Sequence, residues 1–121
     1  MTSATTPLAG RRVLVVEDEY FIADDLRRQF EAGGAEVLGP IPRVDEALAV
    51  IAETPEIDGA VLDINLQDEL VYSVAEALRA RGVPFIFATG YDKTMIPARY
   101  ADVRHCEKPL ELAQVAKALF A

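Results

Sequence analysis

The stretch Gly59-Ala60-Val61-Leu62-Asp63 decides how this chain folds. A short apolar run of this kind predicts a strand that is buried on both faces, as strands are in parallel sheets covered by helices. The run ends in Asp63, and a buried strand has little room for an unpaired charge. In open α/β sheets the carboxyl ends of the strands form the edge at which ligands bind. Asp63 is therefore the first candidate for a functional residue.

Similar short runs recur along the chain and alternate with helical patterns. The predicted strands cover about residues 12–16, 35–39, 58–63, 83–88 and 103–107. Between most of them, apolar residues are spaced as on one face of a helix, as in Val44, Ala47, Leu48 and Ile51. The alternation predicts an α/β fold in which a five-stranded parallel sheet carries helices on both faces.

Two segments depart from this regular pattern. Residues 92–102 carry Pro97 where a helix should run, and an internal proline removes a hydrogen bond and clashes with the preceding turn. A short or irregular fourth helix is therefore expected. Residues 1–10, rich in Thr, Ser, Ala and Pro, indicate a flexible leader, so that the folded domain covers 11–121.

Composition excludes several classes of protein. The 121 residues suffice for one domain, and a net charge of -8 with a pI near 4.6 argues against nucleic-acid binding. A single cysteine, Cys106, excludes an internal disulfide and a multi-cysteine metal site. The sequence contains no apolar stretch long enough to span a membrane and no signal-peptide pattern. A cytoplasmic protein without a membrane partner is expected.

Acidic residues follow two of the predicted strands. Glu17 and Asp18 end the run at 13–16, and Asp63 ends the neighbouring strand, which would place three carboxylates together. Each like-charged pair at about 4 Å costs on the order of 1 kcal/mol in water and about 4 at an effective dielectric of 20. Protonation would relieve this repulsion, but a hard divalent cation is the usual partner of a carboxylate cluster, and Mg²⁺ binds carboxylates, waters and phosphate oxygens. The alternative is that these acids complement the N-terminus of a following helix.

Thr89 and Lys108 come at the ends of the fourth and fifth predicted strands. At the same edge as Asp63, Lys108 would neutralise a bound anion and Thr89 would donate its hydroxyl. A turn-capping role for Thr89 and a plain ion pair for Lys108 are the alternatives. Together with a nucleophilic carboxylate and a metal, these groups are what transfer of a phosphoryl group to an aspartate requires.

Four segments resemble the motifs of the response-regulator receiver domain of two-component signalling. They are residues 15–19 (Val-Val-Glu-Asp-Glu), 61–65 (Val-Leu-Asp-Ile-Asn), 88–90 (Ala-Thr-Gly) and 107–109 (Glu-Lys-Pro). The resemblance covers nearly the whole chain, from about residue 10 to 121. It implies a flavodoxin-like doubly wound sheet with strand order 2-1-3-4-5.

The resemblance also implies a role for each matching residue. Asp63 would accept a phosphoryl group from a sensor histidine kinase or a histidine phosphotransfer protein, and Glu17, Asp18 and Asp63 would hold Mg²⁺ together with the backbone carbonyl of Asn65. Thr89 and Lys108 would contact the phosphoryl group. The chain would catalyse only its own phosphorylation and dephosphorylation, and its output would be an interaction with a downstream protein target.

Residues 87–91, Phe-Ala-Thr-Gly-Tyr, further resemble a receiver subgroup with an FATG signature in the fourth strand. Most receivers carry an aromatic residue three positions before the lysine, where this chain has His105. The usual inward swing of that aromatic residue is therefore in question, and His105 and Tyr91 are the candidates for a role in switching.

Two other functions fit parts of the pattern. A Mg²⁺-dependent phosphohydrolase with an aspartyl nucleophile would also need an acidic cluster, but such enzymes generally carry a second acid two residues after the nucleophile, where this chain has Asn65. The other is a receiver-like interaction module that is never phosphorylated. The oligomeric state stays open.

Overall fold

A computed structural model describes residues 8–66, 69–90 and 96–120. Its strands are β1 (Arg12–Val16), β2 (Glu36–Ile41), β3 (Gly59–Asp63), β4 (Asn65–Leu66), β5 (Glu69–Leu70), β6 (Phe85–Thr89) and β7 (His105–Glu107). Five of them form a parallel sheet in the order β2-β1-β3-β6-β7. Since β6 and β7 are its fourth and fifth strands along the chain, the predicted order 2-1-3-4-5 is confirmed.

Helices cover both faces of the sheet, as the apolar patterns predict. They are α1 (Tyr20–Ala32), α2 (Val44–Glu53), α3 (Tyr72–Ala80) and α4 (Leu112–Phe120). One buried cluster joins α2 and α3 to the sheet and contains Leu14 and Val16 of β1, while a second joins α1 and α4 and contains Val13 and Val15. Alternate residues of one strand therefore serve opposite layers. In the described part of the chain, no helix has the length and apolarity needed to cross a membrane.

A short hairpin follows β3 and was not predicted. β4 and β5 pair antiparallel, with Asn65 opposite Leu70 and Leu66 opposite Glu69. The sequence favours a loop here because the segment is polar, but Leu66 is buried in the core and holds the first strand against the domain. The amide of Val71 then donates to the carbonyl of Ile64 at 3.0 Å, which closes the hairpin before α3 begins.

The connection between β6 and β7 is irregular, as Pro97 predicts. Among its described residues, 96–104, the helical part is a three-residue 3₁₀-helix, Ala98–Tyr100. Pro97 immediately precedes it, and its carbonyl accepts the amide of Tyr100 at 2.9 Å. Proline is tolerated at such a start because its missing N–H has no partner to lose.

The last residues of the expected leader belong to the fold. Leu8 is 1% exposed and packs in the cluster under α1 and α4. The amide of Gly10 donates to the carbonyl of Gly34 at 2.9 Å, just beyond the end of α1. Residues 8–10 thus form a turn that enters β1, whereas residues 1–7 lie outside the described residues.

β2 bends at Gly39, and the bend shapes the edge of the sheet. Gly39 has φ of 106°, and its register with β1 shifts between Leu14 and Val16. A Cβ atom at Gly39 would lie 2.8 Å from the carbonyl oxygen of Val15, so the backbones approach too closely for any side chain. Beyond the bend, the carbonyl of Ile41 accepts the amide of Glu17 at 3.0 Å. The bend therefore helps to position the first residue after β1.

Candidate functional site

The structure brings the acidic residues, Thr89 and Lys108 to one edge of the sheet. Glu17 and Asp18 follow β1, Asp63 ends β3, Thr89 ends β6 and Lys108 follows β7. Parallel strands present their carboxyl ends at the same edge, so residues far apart in sequence meet there.

Three carboxylates form a compact cluster at this edge. Glu17, Asp18 and Asp63 each offer one oxygen, and these oxygens lie within 4.8 Å of one another. Glu17 is only 3% exposed, and the Asp63 side chain is 12% exposed. The Oε2 atom of Glu17 accepts the amide of Glu19 at 3.1 Å, which holds the side chain in place. Carboxylate oxygens at this spacing suit a hard divalent cation.

Lys108 lies between two of the carboxylates. Its Nζ atom is 2.9 Å from Oε1 of Glu17 and 3.3 Å from Oδ2 of Asp63. The backbone fixes it there, because the Lys108 amide donates to the carbonyl of Thr89 at 2.8 Å. Oε1 of Glu17 is buried without a well-oriented hydrogen bond, so its contact with Lys108 is mainly electrostatic.

Burial and neighbouring charges change the protonation of the site. Burial, together with the hydrogen bond and the negative charge of Glu17, raises the pKa of Asp63 from 3.8 to about 7, although Lys108 acts in the opposite direction. Burial disfavours the charge on Lys108, but its contacts with Glu17 and Asp63 outweigh that cost and raise its pKa. Without a metal, Asp63 therefore holds its proton up to near-neutral pH.

This protonation predicts how stability depends on pH in metal-free buffer. Between about pH 4 and 7 the folded state keeps a proton on Asp63 that the unfolded chain has released, so the free energy of unfolding should fall as pH rises through this window. The Asp63 contribution is on the order of 1–4 kcal/mol. Urea unfolding with EDTA at a series of pH values measures it. A contribution from this residue that rises over the same window would contradict the assignment.

Thr89 is buried at the end of β6, and its hydroxyl bonds to the neighbouring strand β7. The hydroxyl donates to the backbone carbonyl of Cys106 in β7 at 3.4 Å, a long and therefore weak hydrogen bond.

The remaining candidates occupy different positions. Asn65 begins β4 and follows Asp63 by two residues in the sequence. His105 is exposed on β7, opposite Phe87 in the sheet register. Tyr91 lies outside the described residues.

The first turn of α1 exposes two aromatic rings beside the cluster. Tyr20 is 72% exposed and Phe21 is 79% exposed, with their ring centroids 5.4 Å apart. Tyr20 lines a cleft of about 410 Å³ that also contacts Glu17 and Asp18, and Phe21 lines a groove of about 180 Å³.

These two residues were not singled out from the sequence. The signal in the sequence is that neither residue falls on the apolar stripe of Ile22, Leu26 and Phe30. Both side chains are therefore expected to point away from the core.

Known structures identify the family. The chain is 36% identical to SdrG from Sphingomonas melonis Fr1 over 98% of both chains, with a TM-score of 0.80. It is 39% identical to the BeF3-activated conformation of SdrG from Pseudomonas melonis Fr1, over 92% of this chain and 94% of that one, with a TM-score of 0.75. A response regulator receiver protein from Burkholderia phymatum is 25% identical over 90% and 94% of the two chains, with a TM-score of 0.75. The chain belongs to the response-regulator receiver domains.

No family model and no curated protein matches this receiver domain. Its assignment therefore rests on the solved structures and on a fold that agrees with theirs. Receiver domains act in two-component signal transduction, and the family supports a phosphorylation-activated signalling switch here.

Proposed function

We propose that this receiver domain accepts a phosphoryl group on Asp63 and signals through the resulting change in shape and charge. The observation that carries the proposal is the arrangement around Asp63, a buried strand-end carboxylate that lies beside two other acids and 3.3 Å from the ammonium of Lys108. A structural ion pair needs no such cluster of acids. The FATG subgroup assignment is part of the proposal and rests on residues 87–90.

Glu17, Asp18 and Asp63, with the backbone carbonyl of Asn65, are the residues that would hold Mg²⁺. The oxygens of the three carboxylates, which lie within 4.8 Å of one another, fit a small cation. When bound, Mg²⁺ would neutralise negative charge on the carboxylates and on the phosphoryl oxygens.

The transfer itself uses groups of this chain. An oxygen of ionised Asp63 forms a bond to phosphorus while the bond from phosphorus to the donor, a histidine nitrogen of the partner, breaks. The nitrogen keeps the electron pair of that bond. Lys108 then pairs with the phosphoryl oxygens, and the Thr89 hydroxyl leaves the Cys106 carbonyl and donates to one of them. Because Asp63 must be ionised to attack, its pKa near 7 makes metal binding or higher pH favourable for the reaction.

Incubation with acetyl phosphate and Mg²⁺, followed by intact mass spectrometry, tests the proposal. The wild-type protein should gain the mass of one phosphoryl group, and the gain should disappear when EDTA is added before acetyl phosphate. A phosphohydrolase would instead turn over an external phosphate ester, and a receiver-like module without phosphorylation would keep its original mass. Catalytic turnover would refute the proposed switch, and an unchanged mass would refute phosphorylation at this site.

Metal binding should be visible as a gain in stability. If Mg²⁺ binds only the folded protein, ten times its dissociation constant adds about 1.4 kcal/mol to the free energy of unfolding. For a chain of this size that corresponds to roughly 3–6 °C in melting temperature. Asp18→Ala should remove most of the shift, whereas Asp25→Ala, an exposed acid on α1, should keep it. Equal shifts in both variants would exclude the acidic cluster as the metal site.

The phosphodonor is proposed to be a sensor histidine kinase or a histidine phosphotransfer protein that docks over Tyr20 and Phe21. Exposed aromatic side chains are frequent hot spots of protein interfaces. Tyr20 lines the cleft that includes Glu17 and Asp18, and Phe21 lines a groove that includes Pro109, the residue after Lys108. The downstream output is proposed to be an interaction with another protein.

Docking through these aromatic residues predicts a difference between large and small phosphodonors. The double variant Tyr20→Ala/Phe21→Ala should slow transfer from a protein donor by about 10-fold or more, since hot-spot residues contribute 1–2 kcal/mol or more each. Phosphorylation by acetyl phosphate should be unchanged, because a small molecule needs no docking surface. Single-turnover assays with both donors measure the two rates. Equal losses with both donors would place the residues in the chemistry instead.

A further inference from the structure

Tyr100 is buried in an aromatic cluster between the 3₁₀-helix, α3 and β6. The side chain is 0% exposed. Its ring stacks on Tyr72 of α3 at 5.3 Å between centroids and 14° between planes, and it meets Phe87 of β6 edge to face at 5.6 Å and 88°. Phe85 lies at 6.5 Å. Such ring pairs have preferred geometries, so a shift of one ring changes its contacts with the others.

The Tyr100 hydroxyl is anchored on α3. It lies 3.2 Å from the carbonyl oxygen of Tyr72, and it donates to the carboxylate of Glu76. Burial and the hydrogen bond to Glu76 raise the pKa of Tyr100, which keeps the hydroxyl protonated and able to donate at neutral pH. A buried hydroxyl without a hydrogen-bond partner destabilises the folded state. The contact with Glu76 therefore favours a single position of the ring.

Two arginines cover the cluster from outside. The guanidinium carbon of Arg79 lies 5.1 Å from the Tyr100 ring centroid, and that of Arg99 lies 4.9 Å from it. Arg79 also donates to the carbonyl of Arg99 at 3.2 Å and to Asp102 at 3.3 Å. The segment 98–102 is therefore tied to α3 through several contacts that all surround Tyr100.

β6 connects this cluster to the site. Alternate residues of a strand share a face, so Phe85, Phe87 and Thr89 point to the same side of the sheet. Phe87 contacts Tyr100, and Thr89 is two residues further, at the edge where Asp63 lies. His105, by contrast, is exposed and contributes no buried ring.

We infer that Tyr100 is the aromatic residue through which the state of Thr89 reaches the segment 96–103. The inference rests on the proposed phosphorylation of Asp63 and goes beyond it by naming the residue that responds. When the Thr89 hydroxyl leaves the Cys106 carbonyl, the end of β6 shifts. Phe87 then changes its edge contact with Tyr100, and the hydrogen bond from the Tyr100 hydroxyl to Glu76 transmits the change to α3. An anion at Asp63 shifts this equilibrium only by binding one arrangement more tightly than the other.

Fluorine NMR of the full chain labelled with 3-fluorotyrosine tests the inference. The sequence contains four tyrosines, and the Tyr100 resonance is assigned by its loss in Tyr100→Phe. Mg²⁺ and beryllofluoride are added as the probe, because the bound fluorides give their own signals in the same spectrum. The Tyr100 resonance should shift when those signals appear. The shift should be lost in Thr89→Ala, with the beryllofluoride concentration raised until its bound signals appear, and kept in His105→Ala.

A second variant covers the case in which Thr89→Ala does not fold or does not bind beryllofluoride. Phe87→Leu keeps an apolar side chain but removes the ring between Thr89 and Tyr100, and it should also abolish the shift. Bound fluoride with an unmoved Tyr100 resonance would overturn the inference and leave the proposed function standing. The same holds if His105→Ala, and not Thr89→Ala, abolishes the shift. Absence of bound fluoride in the wild-type protein would overturn both.

Discussion

Replacing Asp63 by asparagine is expected to abolish phosphorylation by acetyl phosphate and, in metal-free buffer at pH 7.5, to raise the melting temperature. Asparagine has no ionised oxygen with which to attack phosphorus, so the loss should be complete. The gain in stability has a different cause. Asp63 is buried beside Glu17, and this burial and the nearby negative charge disfavour its ionised form in the folded state and raise its pKa to about 7. Removing that charge should add on the order of 1–3 kcal/mol to the free energy of unfolding.

Asp25→Asn is the matched control for this experiment. Asp25 is an exposed carboxylate on α1 that hydrogen-bonds Gln29, so the same chemical change there should leave both phosphorylation and melting temperature nearly unchanged. Intact mass spectrometry and thermal unfolding in EDTA provide the two measurements. A phosphoryl mass on Asp63→Asn would place the acceptor elsewhere. A lower melting temperature for that variant would mean that the Lys108 contact outweighs the repulsion from Glu17.

Gly39→Ala is expected to be the most destabilising of the small substitutions considered. The new Cβ would lie 2.7 Å from the amide nitrogen of Ile41 and 2.8 Å from the carbonyl oxygen of Val15, at φ of 106°. Both close atoms belong to the backbone of the sheet and cannot turn aside as a side chain would. Strain and overpacking together should lower the free energy of unfolding by on the order of 3–5 kcal/mol. Urea unfolding measures this loss.

Gly82→Ala separates the clash from the effect of a positive φ. Gly82 has φ of 70°, but a Cβ there would meet nothing within 4 Å. Gly82→Ala should therefore lower the free energy of unfolding by about 1–2 kcal/mol, through backbone strain alone. Gly39→Ala should additionally weaken Mg²⁺ binding in whatever fraction remains folded, because the bend carries the carbonyl that holds the Glu17 amide. Similar losses in the two variants would mean that β2 relaxes around the added methyl group.

The sequence predicts the sheet well because its strands are short apolar runs with abrupt ends. The run at 59–63 matches β3, and the predicted first strand matches β1. The hairpin of β4 and β5 could not be predicted in this way. Its strands are two residues each, too short for any periodicity, and Leu66 forms one of them only because the core accepts its side chain.

The order of the strands predicts that residues distant in sequence meet at the site. It does not predict which of their atoms are in contact. The resemblance to receivers predicts that Lys108 pairs with a phosphoryl group, and sequence gives no sign that it also lies 2.9 Å from Glu17. That distance depends on the hydrogen bond from the Lys108 amide to Thr89 and on the burial of Glu17, which are properties of the folded backbone. Tyr100 is similar, since its importance comes from stacking partners on two other elements.

The ammonium of Lys108, placed between Glu17 and Asp63, acts as a resident counter-ion for the pocket. Part of the mutual repulsion of the acids is neutralised before any ion arrives from solution. The domain should therefore stay folded during magnesium starvation, and it should recover its competence for phosphotransfer as soon as the ion returns, without a refolding step.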